Sequence, residues 1–206
     1  MTYNNYNDYI KTNDYKLVKH DLTIWLTIVI ISNLVHYKIK NKDPFDMDWV
    51  FYSLASLFGL VMHSLFTSKL TIYIINKYNI KSYNVRESIT DVIKWTTVYV
   101  LNNIIVSYFK NKEINFNDKW IKMHTGVIVG YILFNLLIEK NIFNVSVTSD
   151  PDLIISIFKS IIGIFLGYFI TDGYVHLDCF HMITGVVLAL IVYYVIVKKF
   201  IPPILL

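Results

Sequence analysis

Cysteine is almost absent from the chain: Cys179 is the only one. An intrachain disulfide and any Cys-x-x-Cys redox or zinc motif are therefore excluded. Seven glycines and four prolines in 206 residues are too few for a collagen-like or low-complexity chain. Charge is scarce as well, at 17% of residues against 55% hydrophobic, with a mean hydropathy of +0.47. Disorder needs the opposite balance, and a soluble globule of this size cannot bury so much apolar surface behind a polar exterior. The excess of 19 Lys+Arg over 15 Asp+Glu, a net +4, is modest and is no nucleic-acid footprint. It suits basic loops that face lipid headgroups. An all-α polytopic membrane protein remains, with the lipid bilayer as its first partner and other membrane proteins or a second copy as further ones.

What is present is long apolar runs. Six stretches, Leu22 to Tyr37, Trp49 to Phe66, Val92 to Phe109, Trp120 to Ile138, Leu153 to Ile170 and Cys179 to Val197, each approach the roughly 20 residues that cross about 30 Å of hydrocarbon as a helix. They lack the polar stripe of a soluble bundle. Residues 1–20 form a polar tail without the apolar core of a secretory signal peptide, 21–200 the transmembrane domain, and 201–206 a short C-terminal tail. An aspartate stands at or just before each stretch: Asp21, Asp48, Asp91, Asp118, Asp152 and Asp178. Carboxylates there accept from orphan backbone N–H groups and favour the helix dipole, so the six are expected to be N-terminal caps.

The landmarks repeat. Asp21, Trp25 and Asn33 return 70 positions later as Asp91, Trp95 and Asn103, and Met123-His124-Thr125-Gly126-Val127 is echoed by Met182-Ile183-Thr184-Gly185-Val186. The expected organisation is three pseudo-repeated helical hairpins, at about 21–75, 91–140 and 152–200. Small residues four apart, Ala55 and Gly59, Gly126 and Gly130, Gly163 and Gly167, Gly185 and Ala189, predict close helix–helix approach. A tight bundle is the favoured consequence and an oligomer interface the alternative. With six crossings both termini share one side. That side holds ten of the basic residues against seven opposite, which points to the cytoplasm or its topological equivalent.

Two lysines, Lys94 and Lys159, fall inside apolar stretches, where a charge is costly. One reading is snorkelling to the nearby interface, with Asp91 as the partner of Lys94. The other is a basic constriction for an anionic solute or headgroup, with Asn102, Asn103 and Asn135 as further lining. The segment 171–181 carries Asp172, His176, Asp178, Cys179 and His181 without a basic residue. Asp172, His176, Asp178 and His181 are candidate metal ligands, although their spacing matches no standard site. His63, His124 and His181 invite comparison with six-helix intramembrane serine proteases, but Gly126-Val127-Ile128-Val129-Gly130 offers no serine nucleophile;. The mitochondrial-carrier signature is likewise missing after Tyr37, Phe109 and Ile170.

The expectation is a non-enzymatic structural or assembly component of a membrane, with no cofactor. A small anion channel or transporter lined by Lys94 and Lys159 is the alternative. Heavy use of Ile, Asn, Lys and Tyr resembles an AT-rich coding sequence, which suggests a viral or organellar membrane and carries no mechanism.

Overall fold

The computed structural model describes residues 22–35, 37–39, 47–138, 153–175 and 177–200. All secondary structure among them is helical. Helix α1 is Leu22–Ile39. Helix α2 (Met47–Met62) passes through a π turn, His63–Thr67, into α3 (Ser68–Lys77) without a break. Then come α4 (Tyr83–Phe109), α5 (Asp118–Leu133) with a π turn at Phe134–Ile138, α6 (Leu153–Asp172), and α7 (Leu177–Val192) with a π turn at Tyr193–Val197 and a last turn at Lys198–Phe200.

Among the described residues, five helical segments are long and apolar enough to cross a membrane: Leu22–Ile39, Val50–Lys77, Asp118–Leu137, Leu153–Asp172 and Leu177–Val197. This fits a multi-pass membrane protein, but it is one fewer than the sequence predicts. Helix α4, which contains the expected stretch Val92 to Phe109, is the missing one. It runs 27 residues, yet Asp91, Lys94, Asn102 and Asn103 dilute its apolar content.

Burial runs opposite to that of a soluble protein. Leu54, Phe58, Phe165 and Phe169 are exposed, whereas Ser53, Ser56, Ser64, Ser88, Ser107, Asp91 and Asn135 are buried. Polar groups turned inward and large apolar groups turned outward suit a lipid solvent. Many of the hydroxyls within helices bond back one turn, as Ser56 does to the Tyr52 carbonyl, Ser64 to Leu60, Thr97 to Ile93 and Thr171 to Gly167. Their hydrogen bonds therefore need no water.

Two of the expected caps are corrected. Asp91 is not at a helix start; it is the ninth residue of α4, because no glycine or proline between Tyr83 and Asp91 stops the helix from extending outward past the apolar stretch. At α5 the cap is Asn117, whose side chain accepts from the Trp120 N–H at 2.8 Å, and Asp118 is the first helical residue. Asp178 lies within the first turn of α7 and Asp48 within that of α2. Asp21 and Asp152 lie outside the described residues. Helices α3 and α4 both end in a left-handed asparagine, Asn79 (φ 48°) and Asn111 (φ 50°), with the following N–H returning to Ile75 O and Ser107 O, which satisfies the last carbonyls.

The most extensive interhelical contact joins α5 to α6, followed by α2 to α4. The small residues explain how closely these pairs approach. A Cβ on Gly126 would sit 2.7 Å from the Cα of Gly167, and one on Gly130 would sit 2.7 Å from the Cα of Gly163. The two glycine pairs thus face each other in one antiparallel seam. Gly59 meets Val98 of α4, and Gly185 meets Ser32 of α1; Ala55 and Ala189 are buried beside them.

Gly126→Leu and Gly163→Leu should each lower the thermal unfolding midpoint in mild detergent. A side chain at Gly126 runs into the backbone of Gly167 and one at Gly163 into the Tyr131 ring, and overpacking of this kind costs roughly 1–3 kcal/mol. Leu188→Ala, at an exposed position, should leave the midpoint near wild type. Wild-type stability for both glycine variants would place the seam elsewhere.

Candidate functional site

Helix α4 positions Asp91 two turns in from its start, on a face covered by α5 and α6. The Asp91 carboxylate is ion-paired to Lys159 Nζ of α6 at 2.5 Å and accepts from the Asn135 side-chain amide at 2.7 Å. Asn135 lies in the π turn that ends α5 and is 1% exposed; Asp91 is 8% exposed. Widening one turn to π geometry shifts the side chains that follow it, a common device at functional positions. Lys159 also lies 5.6 Å from the centroid of the Tyr131 ring, where the π face adds to its stabilisation.

Aromatic rings continue from there. Trp95 lies 5.7 Å from Tyr131, 5.8 Å from Tyr99 and 5.9 Å from Trp25 of α1, between ring centroids. Tyr99 meets His124 edge-on at 4.0 Å, and His124 lies against Trp120 at 4.2 Å. A charge pair at one end of the bundle, its carboxylate buried and its ammonium partly exposed, is thus walled by a ladder of rings running toward the other.

Of the residues expected to line an anion path, the structure brings Lys159 and Asn135 together on Asp91. Lys94 Nζ lies 5.8 Å from the Trp95 ring centroid. The short-range pairing expected between Lys94 and Asp91 gives way to one across helices, because Lys159 approaches Asp91 from the packed side. Asn102 donates to the Tyr52 carbonyl at 2.8 Å and to Ser56 Oγ at 2.6 Å, stitching α4 to α2. Asn103 donates to the Asn115 carbonyl at 3.0 Å and ties the loop before α5 to the end of α4. The other two π turns also make polar contacts between helices: His63 bonds Thr67, which meets Thr97 of α4 at 3.1 Å, and Tyr194 meets Ser156 of α6 at 3.2 Å.

The acidic segment between α6 and α7 is not free of positive charge as its own sequence suggests. Lys119 of α5 reaches Asp172 at 3.3 Å, beside a cavity of about 420 Å³ lined also by Met123, Tyr168, Thr171 and Asp178. His181 Nδ1 lies 3.9 Å from Asp178. His176 lies outside the described residues. Among the described residues no three His, Cys, Asp or Glu side chains are grouped closely enough to hold a metal. His63 and His124 are occupied by Thr67 and by the Trp120 carbonyl.

Sequence reasoning singled out Lys159 and Asn135 but took Asp91 for a cap and passed over Tyr131 and Trp95. A usable signal was there: a carboxylate and an ammonium each near an apolar stretch, on different helices, with nothing of opposite charge one turn from Lys159.

Chemically the cluster is a neutralised charge pair in which one carboxylate oxygen, Asp91 Oδ2, takes both the Lys159 ammonium and the Asn135 amide. Removing one partner strands the other in a low-dielectric core, which costs about 3–5 kcal/mol, whereas replacing both with apolar groups costs far less. Asp91→Leu and Lys159→Met should therefore each lower thermal stability in detergent sharply, and the double variant should recover most of the loss. Additive losses in this cycle would mean that the two groups do not sense each other. The cluster must be interpreted from its own chemistry, since no protein-family model, no curated protein and no solved structure matches the chain.

Proposed function

We propose that the protein is a non-enzymatic structural or assembly component of a membrane, built from six crossings with both termini on one side. The observation that carries this reading is the pairing of Lys159 with the buried Asp91, whose Oδ2 also accepts from Asn135. An anion path through the bundle needs the Lys159 charge directed at a solute. Here Asp91 takes that charge, and the asparagines Asn102 and Asn103 are engaged with backbone carbonyls. A charge pair that serves helix association asks only for opposite signs and good geometry.

The sixth crossing is α4. Its polar groups find partners on α2, α5 and α6, so neighbours supply what its composition does not. The three-hairpin organisation gains support from the π turns, which begin at His63, Phe134 and Tyr193. Each begins eight positions after the first member of a small-residue pair, Ala55, Gly126 and Gly185. A viral or organellar membrane is the setting to which the composition points.

Exchanging the charges tests the structural role. Asp91→Lys combined with Lys159→Asp should restore much of the stability that either single change removes, and wild-type protein in reconstituted vesicles should give no flux of chloride, phosphate or a carboxylate above empty vesicles. An anion flux that Lys159→Gln abolishes would overturn the reading in favour of transport. For topology, cysteines introduced at Lys81 and Glu113 in a Cys179→Ala background should be labelled from opposite sides of sealed vesicles. Labelling from the same side would remove α4 from the set of crossings.

A further inference from the structure

The rod formed by α2, its π turn and α3 runs 31 residues from Met47 to Lys77, about 46 Å at 1.5 Å per residue. That exceeds the roughly 30 Å of hydrocarbon in a bilayer and matches the 40–45 Å that includes both headgroup layers. Taking the apolar stretch to end at Phe66 carries the C-terminal end of α3 and the turn after it past the hydrocarbon to headgroup depth.

The segment that forms this region is one-signed as far as Arg86, after which Glu87 of α4 follows. From Trp49 to Arg86 the chain contains no aspartate or glutamate, and it contains Lys69, Lys77, Lys81 and Arg86. Lys69, Tyr73 and Lys77 follow one another at four-residue spacing and so share one face of α3. All three are exposed, as are Tyr78 and Lys81 beyond the helix end. Lys77 Nζ lies 5.5 Å from the Tyr73 ring centroid and 5.8 Å from that of Tyr78, so the ammonium is held between two rings.

The element is also built to keep its shape. The left-handed Asn79 closes α3, the Ile80 N–H returns to the Ile75 carbonyl at 3.0 Å, and Arg86 Nε donates to the Ile80 carbonyl at 2.6 Å. On the opposite face Thr71 and Ile75 are 2% exposed. Little ordering is left for a ligand to impose.

We propose that this α3–α4 hairpin tip is a binding site for anionic phospholipid headgroups, with Lys69, Lys77 and Lys81 supplying the charge and Tyr73 and Tyr78 anchoring the tip at the interface. Tyrosine favours that depth because one end of it is apolar and the other wet. Lysines there are each attracted to an anionic leaflet by an amount equivalent to about five-fold in affinity. The depth set by the rod selects a lipid over a soluble polyanion as the source of the negative charge. The inference depends on the α2–α3 rod crossing the membrane and is independent of the assembly role.

The test uses the full chain in mild detergent, titrated with dioctanoyl phosphatidylserine, dioctanoyl phosphatidylcholine or inorganic phosphate, with the thermal midpoint as readout. Phosphatidylserine should raise the midpoint saturably, at concentrations at least ten-fold below any effect of phosphatidylcholine, and the rise should shrink with added salt. The triple variant Lys69→Gln, Lys77→Gln, Lys81→Gln should unfold at the wild-type temperature without lipid, since all three positions are exposed, and should lose the preference for phosphatidylserine. The corresponding arginine variants should keep it. Equal stabilisation by the two lipids, a preference that survives in the triple glutamine variant, or equal stabilisation by inorganic phosphate alone would each overturn the proposal.

Discussion

An ionised side chain surrounded by packed helices and lipid must be met by its opposite, because neither water nor a mobile counter-ion is there to do it. In this protein that requirement is met by Asp91 and Lys159, with Asn135 donating to the same carboxylate oxygen. The three residues come from α4, the end of α5 and α6. Satisfying one carboxylate therefore fixes the mutual register of three helices. Helix α4, the least apolar of the long helices, is held centrally as a result, with α2 bonded to it through Ser56, Thr67 and Asn102.

Such a pair can form only if backbones come close, and glycine makes that possible. Gly126 and Gly130 against Gly163 and Gly167 bring α5 and α6 into contact along a seam, and Lys159 sits one turn from Gly163 on the same helix. The π turns then aim side chains across the gaps: Asn135 at Asp91, Thr67 at Thr97, Tyr194 at Ser156. Close packing and polar contact are thus two aspects of one arrangement. Where lipid removes the hydrophobic drive between helices, van der Waals contact and interhelical hydrogen bonds carry the association.

Charge is divided by location. The deeply placed ionisable groups are matched within the chain, which leaves them as parts of the framework. The cations at the α3–α4 tip stand in a segment with no carboxylate of its own from Trp49 to Arg86, exposed between tyrosines. An internal charge pair with a cationic rim suits the membrane component and the headgroup site proposed above.

The helical class and the presence of several apolar spans could be read from the sequence, because hydrocarbon thickness imposes a run length that composition reports directly. Close approach at the glycines was legible for a similar reason: small residues four apart lie on one helix face whatever that face touches. Which faces met was not legible, since Gly59, Gly126 and Gly185 have like spacing yet contact α4, α6 and α1. Helix limits set by hydropathy failed at α4, where the helix continues outward through Arg86 and Glu87 and turns Asp91 from an expected cap into an interior residue. Local sequence determined that Asp91 and Lys159 would be costly in a membrane. Only the tertiary structure decided that they answer one another, because a pairing across 68 positions depends on how the helices pack and leaves no trace in the spacing along either one.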